Sequence, residues 1–203
     1  MTETANISPG HQRFLDLQAA RLAYLREVFA EHFSGDRAVT LEVGCGHGHY
    51  LTAYAQANPE ELCLGVDIST KRIAKACQKR DKRNLTNLHF LKAEVRELFM
   101  AWPTNLELGR IFILFPDPWP KKRHIKNRII QQKLLGQFAS HASVETKLHF
   151  RTDHKANFAW GTEVIAEHPS WMIQEDANWP FESPSFFQDL LGSRFSLTAA
   201  YQA

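Results

Sequence analysis

Apolar positions along the chain change period in a regular way. Leu15, Leu22, Leu25, Phe29 and Phe33 recur at helical spacing, which predicts a first helix near 11–33. Short apolar runs then alternate with helical patterns. Strands are expected at 38–43, 62–67, 87–92, 110–115 and 145–151. Helices are expected at 48–57, 70–82, 94–101, 127–141 and 154–167. Strand–helix alternation with Val-, Ile-, Leu- and Phe-rich strands predicts an α/β fold. Its Rossmann-like, mostly parallel central sheet would carry helices on both faces. In such sheets ligands bind beyond the carboxyl ends of the strands, so the chemistry is sought there.

Composition narrows the class. With 203 residues, 44% apolar and 23% charged, the chain reads as one globular domain over 11–203, preceded by a mobile tail over 1–10. No apolar run approaches a membrane span, and the first ten residues lack the apolar core of a signal peptide. Three cysteines, Cys45, Cys63 and Cys77, form no paired spacing, which favours a reducing compartment and a cytoplasmic location. The net charge of +2 conceals an asymmetry: residues 1–153 hold 22 Lys/Arg against 16 Asp/Glu, and residues 154–203 hold 2 against 6. Positive charge concentrates at 71–83 and 121–128, as a polyanion partner would require, although a solvated helix face explains the first cluster equally well.

The strand ends carry the candidate chemistry. Leu41-Glu42-Val43-Gly44-Cys45-Gly46-His47-Gly48 joins a strand to a helix through glycines that permit a tight turn and close ligand approach. The third glycine comes one residue too early for the dinucleotide fingerprint, and an acid precedes the first. S-adenosylmethionine suits this better than a pyrophosphate, because its ammonium group can pair with Glu42. Asp67 ends the second strand, where a carboxylate can accept from ribose hydroxyls; it also precedes a helix cap at Ser69. Glu94 follows the third strand and reads first as favourable charge in a helix's first turn, with an adenine amino group as the alternative partner. Asp153 follows the fifth strand, placed both to cap the next helix and to face a substrate. Cys45, His47 and His49 lack a second ligand pair, so no metal is expected. Trp102, Trp160, Trp171 and Trp179 read as packing.

The fourth strand runs into Phe115-Pro116-Asp117-Pro118-Trp119-Pro120-Lys121-Lys122-Arg123-His124. Its prolines fix their own φ and bias the preceding residues toward extended backbone. Asp117 is thereby held in a stiff loop, followed by an aromatic ring and a run of cations. A carboxylate, a flat apolar surface and positive charge suit a nucleobase beside its phosphates. Lys121, Lys122, Arg123, Lys126 and Arg128 are the expected phosphate contacts.

Together these motifs resemble the tRNA (guanine-N7-)-methyltransferase family over about 35–168, most specifically in Phe-Pro-Asp-Pro-Trp-Pro-Lys-Lys-x-His-x-Lys-x-Arg at 115–128. The resemblance implies a class I S-adenosylmethionine-dependent fold, tRNA as partner and 7-methylguanosine in the variable loop as product. It implies that Glu42, Asp67, Glu94 and Asp117 contact the cofactor, beside Gly44 and Gly46 already expected from the turn, that Lys121 and Asp153 contact substrate, and that Asp117 is catalytic. The chain departs from the family at Glu94-Val95, where Asp-Ala is usual, and at Ser185-Phe186-Phe187-Gln188, the counterpart of Thr-x-Phe-Glu. Gln188 there replaces an acid on the guanine-recognition side. The alternatives left open are a methylase for another acceptor and a cofactor- or RNA-binding module without catalysis.

Overall fold

The computed structural model describes residues 8–33, 35, 38–182 and 194–203. Seven strands form one sheet in the order β3-β2-β1-β4-β5-β7-β6. These are β1 (Val39–Val43), β2 (Leu62–Asp67), β3 (Leu88–Lys92), β4 (Leu108–Leu114), β5 (Ala142–Thr152), β6 (Trp171–Gln174) and β7 (Phe195–Tyr201). β1 through β5 pair in parallel, while β7 runs antiparallel to both β5 and β6. Helices α1 (Pro9–His32), α2 (His49–Ala57), α3 (Thr70–Lys82), α4 (Val95–Ala101), α5 (Gln132–Ala139) and α6 (Lys155–Ala166) complete the α/β fold.

Side-chain alternation along the strands divides the core. Val39, Leu41, Val43, Ile111, Ile113, Leu148 and Phe150 face α1, α4, α5 and α6. Cys63, Phe90 and Phe112 face α2 and α3. Each central strand buries both sides, which explains its nearly unbroken apolar composition. Chain order reverses between β1 and β4: β1 leads outward to β2 and β3, and the chain then returns to β4. The crevice at that reversal is where an open α/β sheet leaves room for a ligand.

Two expectations about the elements are corrected. The helix expected over 127–141 is instead a 3-10 turn at Lys122–Asn127 followed by α5 from Gln132. Arg128-Ile129-Ile130 between them is non-helical, with Arg128 extended, and Ile130 is buried in the core. The first helix begins at Pro9, capped by the Ser8 side chain, two residues before the expected start. β6 and β7 had no counterpart among the expected strands.

Candidate active site at the strand ends

The turn after β1 is built by three left-handed glycines, Gly44 (φ 76°), Gly46 (φ 55°) and Gly48 (φ 67°). They serve different ends. A Cβ on Gly48 would approach Phe90 to 2.6 Å and Ala76 to 2.8 Å, so this glycine lets the turn pack against β3 and α3. Among the described residues, a Cβ on Gly44 or Gly46 would meet nothing within 4 Å, so these two border open space. Asp67 fastens the turn from β2: Oδ2 accepts from the Gly46 N–H at 3.1 Å and Oδ1 from the Ser69 N–H at 2.8 Å. Arg72 lies 3.5 Å from the same carboxylate.

Two lobes of one groove open above these ends, of about 300 and about 350 Å³. Val66, Asp67, Ile68, Ala93, Glu94 and Val95 line the first. Glu42, Cys45, Gly46, His47, Tyr50 and Arg151 are among the residues lining the second. Gly44, Arg72, Leu114, Phe115 and Asp117 border both, so Asp117 stands at their junction, exposed to solvent.

Glu42 is 4% exposed, and among the described residues its Oε2 has no hydrogen-bond partner. Burial, joined by the charge of Asp67, pushes its carboxyl up to about 8, against a hydrogen bond from the Leu51 backbone. An acid stripped of water and left with an open acceptor is suited to a cationic ligand group in the second lobe. Glu94 caps α4, its Oε2 accepting from the Arg96 and Glu97 N–H groups at 2.9 and 3.3 Å. Glu94 thus stands at the N-cap rather than inside the first turn as read from sequence, where Glu97 stands instead, and Glu94 also lines the first lobe.

The Pro-Asp-Pro loop departs from the extended backbone that its prolines favour. Phe115 and Trp119, each preceding a proline, have φ of 46° and 42°. Left-handed backbone at bulky residues is strained and is retained only where the surroundings hold it. The Phe115 N–H donates to the Arg151 carbonyl at 2.8 Å, and Arg128 Nε donates to the Pro118 carbonyl at 2.9 Å. Arg128 also donates to the Ala156 carbonyl at 3.2 Å and lies over the Trp160 ring. This corrects its assignment as a phosphate contact: Arg128 is 5% exposed and bolts the loop to α6. Lys121, Lys122, Arg123 and Lys126 remain exposed on the rim.

Asp153 is exposed but does not cap α6. The helix starts at Lys155, so His154 occupies the cap position and its Nδ1 accepts from the Asn157 N–H at 3.2 Å. Asp153 lies in the β5–α6 turn, on the same sheet edge as the groove. Gln188 lies outside the described residues.

Sequence reasoning missed Arg72, Tyr50 and Arg151 as groove residues. Tyr50 donates to the Phe181 carbonyl at 3.2 Å. Arg151 pairs with both oxygens of Glu182 at 3.0 and 2.7 Å, donates to Ser196 at 2.8 Å and stacks 3.8 Å from the centroid of Trp179. Residues 179–182 thus form a wall beside the second lobe. The sequence marks Arg151 only as a cation at a strand's carboxyl end; its burial beside the groove comes from the fold.

Comparison with known proteins agrees with this geometry. The family model described as "Putative methyltransferase" matches residues 36–188. The tRNA (guanine-N(7)-)-methyltransferase of Rhodospirillum rubrum is 33% identical over 141 residues, 68% of this chain and 55% of that one. Its namesake from Caulobacter vibrioides is 33% identical over 141 residues, 70% of this chain and 62% of that one. The match therefore spans less than two thirds of either relative's length. In fold, the chain is similar to the precorrin-6y C5,15-methyltransferase of Geobacter metallireducens, with a TM-score of 0.57 at 13% identity, covering 100% of this chain and 93% of that one. The mostly parallel sheet, the groove at its topological reversal and a family match across most of the sequence together show that the chain belongs to this methyltransferase family.

Proposed function

We propose that this chain methylates N7 of a guanine in the variable loop of tRNA, using S-adenosylmethionine. The observation that carries this reading is the position of Asp117 at the junction of two groove lobes, beside an exposed row of cations. The similar proteins named tRNA (guanine-N(7)-)-methyltransferase support it. The residues present fit the cofactor: Glu42 offers an unpartnered, buried oxygen, and Gly44 and Gly46 leave space where a Cβ would stand.

When bound, S-adenosylmethionine supplies an electrophilic sulfonium methyl. Glu42 would hold its ammonium group, Asp67 its ribose and Glu94 its adenine. Guanine N7 carries an in-plane lone pair, so the acceptor loses no proton before attack and the product is cationic. No cysteine nucleophile or strong general base is called for. Asp117 would orient the base and stabilise its developing positive charge from the lobe junction. Lys121 and Arg123 would neutralise phosphates on the rim, and Asp153 and Gln188 would lie on the acceptor side.

The test is transfer of labelled methyl to unmodified tRNA, followed by nuclease digestion. Formation of 7-methylguanosine is expected, with the rate falling at least ~100-fold in Asp117→Ala through lost orientation and charge stabilisation. Full activity in that variant would remove Asp117 from the chemistry. Gln188, where the family has an acid, favours a second reading, a module that binds cofactor and RNA without transfer. A melting shift with S-adenosylhomocysteine but no transfer to any RNA would support that reading instead.

A further inference from the structure

Folding alone does not account for the charge on α3. Residues 71–83 hold seven Lys/Arg and one acid, Asp81. Lys71, Lys75, Lys79 and Arg83 recur every four residues, and like charges at that spacing destabilise a helix. Lys79, Arg80 and Lys82 in the last turn are favoured by the helix dipole. Lys71 and Arg72 are in the first turn, where the dipole disfavours cations and which holds no acid of its own. Arg72 is near Asp67 and Arg80 pairs with Asp81. Among the described residues, Lys71, Lys75, Lys82 and Arg83 have no carboxylate within ion-pair distance, and all four are exposed.

The ladder is joined to the groove. Arg72 lines both lobes, and Lys79 Nζ donates to the His47 carbonyl in the glycine turn at 2.7 Å. Burial and then the charges of Lys75, Lys79 and Arg72 lower the proton affinity of His47, as expected where these cations surround the rim. At 1.5 Å per residue the ladder is about 18 Å long, enough to face several phosphates. The exposed cations of 121–126 flank the groove from the β4 side, and α3 flanks it from the β2 side.

We propose that α3 is a second phosphate-binding bank: the acceptor RNA's backbone runs from the 121–126 turn across the groove mouth and onto the Lys71–Lys75–Lys79–Arg83 ladder. This rests on the RNA reading above and extends the contact surface beyond the Asp117 loop.

The experiment measures binding of labelled, unmodified tRNA to the full chain by fluorescence anisotropy, with S-adenosylhomocysteine present, over a range of salt. The variant is Lys71→Glu/Lys75→Glu. An acid at position 71 suits the helix's first turn and one at 75 stands four residues before Lys79, so the reversal does not endanger folding, and both residues leave the cofactor lobes untouched. The expected result is at least tenfold weaker binding, with the slope of log K against log salt reduced by about 0.7–0.9 per lost contact. The melting shift with S-adenosylhomocysteine stays at the wild-type value. Lys133→Glu/Lys147→Glu, with the same charge change elsewhere, binds tRNA more tightly than the α3 variant. Unchanged affinity and slope in the α3 variant, or an equal loss in the control pair, would overturn the proposal. If wild type binds tRNA through α3 yet transfers no methyl, the bank stands and the proposed reaction falls. If the α3 variant binds as well as wild type and wild type transfers methyl normally, the bank falls and the reaction stands.

Discussion

Glu42 and the three turn glycines show how single residues divide between fold and site. Glu42 binds protons more tightly folded than unfolded, because burial holds its carboxyl near 8 against about 4.5 in the open chain. Between those values the native state carries the extra proton, so Glu42 lowers stability progressively as pH rises and imposes its full penalty above about 8. Glu42→Gln is therefore expected to melt higher than wild type at about pH 8.5, with the gap shrinking toward about pH 5. Its stabilisation by S-adenosylhomocysteine should be smaller at both pH values, since the ligand's ammonium loses its partner. Equal melting differences at both pH values would contradict the buried-acid account. The glycines allow a parallel dissection. Gly48→Ala places a Cβ 2.6 Å from Phe90 at positive φ, and a loss of about 2–4 kcal/mol in denaturant unfolding is expected from overpacking and strain combined. Gly46→Ala has strain but no clash. It should lose about 1 kcal/mol while losing most of the cofactor-induced melting shift, because the new methyl enters the groove. Sequence spacing made the three glycines look equivalent; only the packing of Phe90 and Ala76 distinguishes them.

The Asp117 loop keeps its shape through bonds to other elements. Pre-proline bias alone would extend Phe115 and Trp119, yet both turn left-handed under tethers from β5 and Arg128. Arg128→Ala removes the bonds to Pro118 and Ala156 and the packing on Trp160. A loss of about 2–3 kcal/mol is expected, the usual range when a buried charged donor leaves its acceptors unpaired. Transfer activity should fall with it even at saturating RNA, since the loop then samples other conformations. A variant that lost RNA affinity while keeping kcat and stability would instead return Arg128 to the phosphate-contacting group. This residue also marks what the sequence could not disclose. Lys121 through Arg128 read as one basic run, and nothing in residue type distinguishes the buried member from the exposed ones. The parallel strands were legible because burial on both faces leaves almost uninterrupted apolar runs. The acids at their ends were legible because the sheet's topology makes every carboxyl edge a candidate. Tyr50 and Arg151 were not, since their relation to the groove comes from contacts with residues 179–182, far away in sequence.

At the scale of the whole molecule, the antiparallel strands connect the wall beside the second lobe of the groove to the sheet. β7 covers the edge of β5, pairing Thr152 with Phe195 through Lys147 with Ala200, and β6 covers β7 in turn. β6 is only four residues long, and β7, Phe-Ser-Leu-Thr-Ala-Ala-Tyr, interleaves polar and small residues, so neither carries the apolar run that exposed the central strands. Helix α6 leads into β6, and the chain from β6 to β7 includes the wall of Trp179, Phe181 and Glu182. Arg151 joins the two ends of this arrangement, touching Ser196 on β7 and Glu182 and Trp179 in the wall. Arg151→Met would retain much of the side-chain length over Trp179 while removing the charge and the side-chain hydrogen bonds to Ser196 and Glu182. Wall and sheet would then separate without emptying the core. The expected outcome is an increase of at least ~tenfold in KM for RNA, the size of one lost charge-assisted contact, with a smaller change in the S-adenosylhomocysteine melting shift, because Asp67, Glu94 and the glycine turn are untouched. Glu182→Gln, which keeps one acceptor for the guanidinium, should give an intermediate increase. A purely structural role for Arg151 predicts another pattern: KM unchanged, and melting temperature falling in proportion to active fraction in both variants. Steady-state kinetics at several RNA concentrations, alongside melts of the same preparations, separates the two. It also decides whether the antiparallel end of the sheet acts only as an edge cover or helps to shape the acceptor's binding surface.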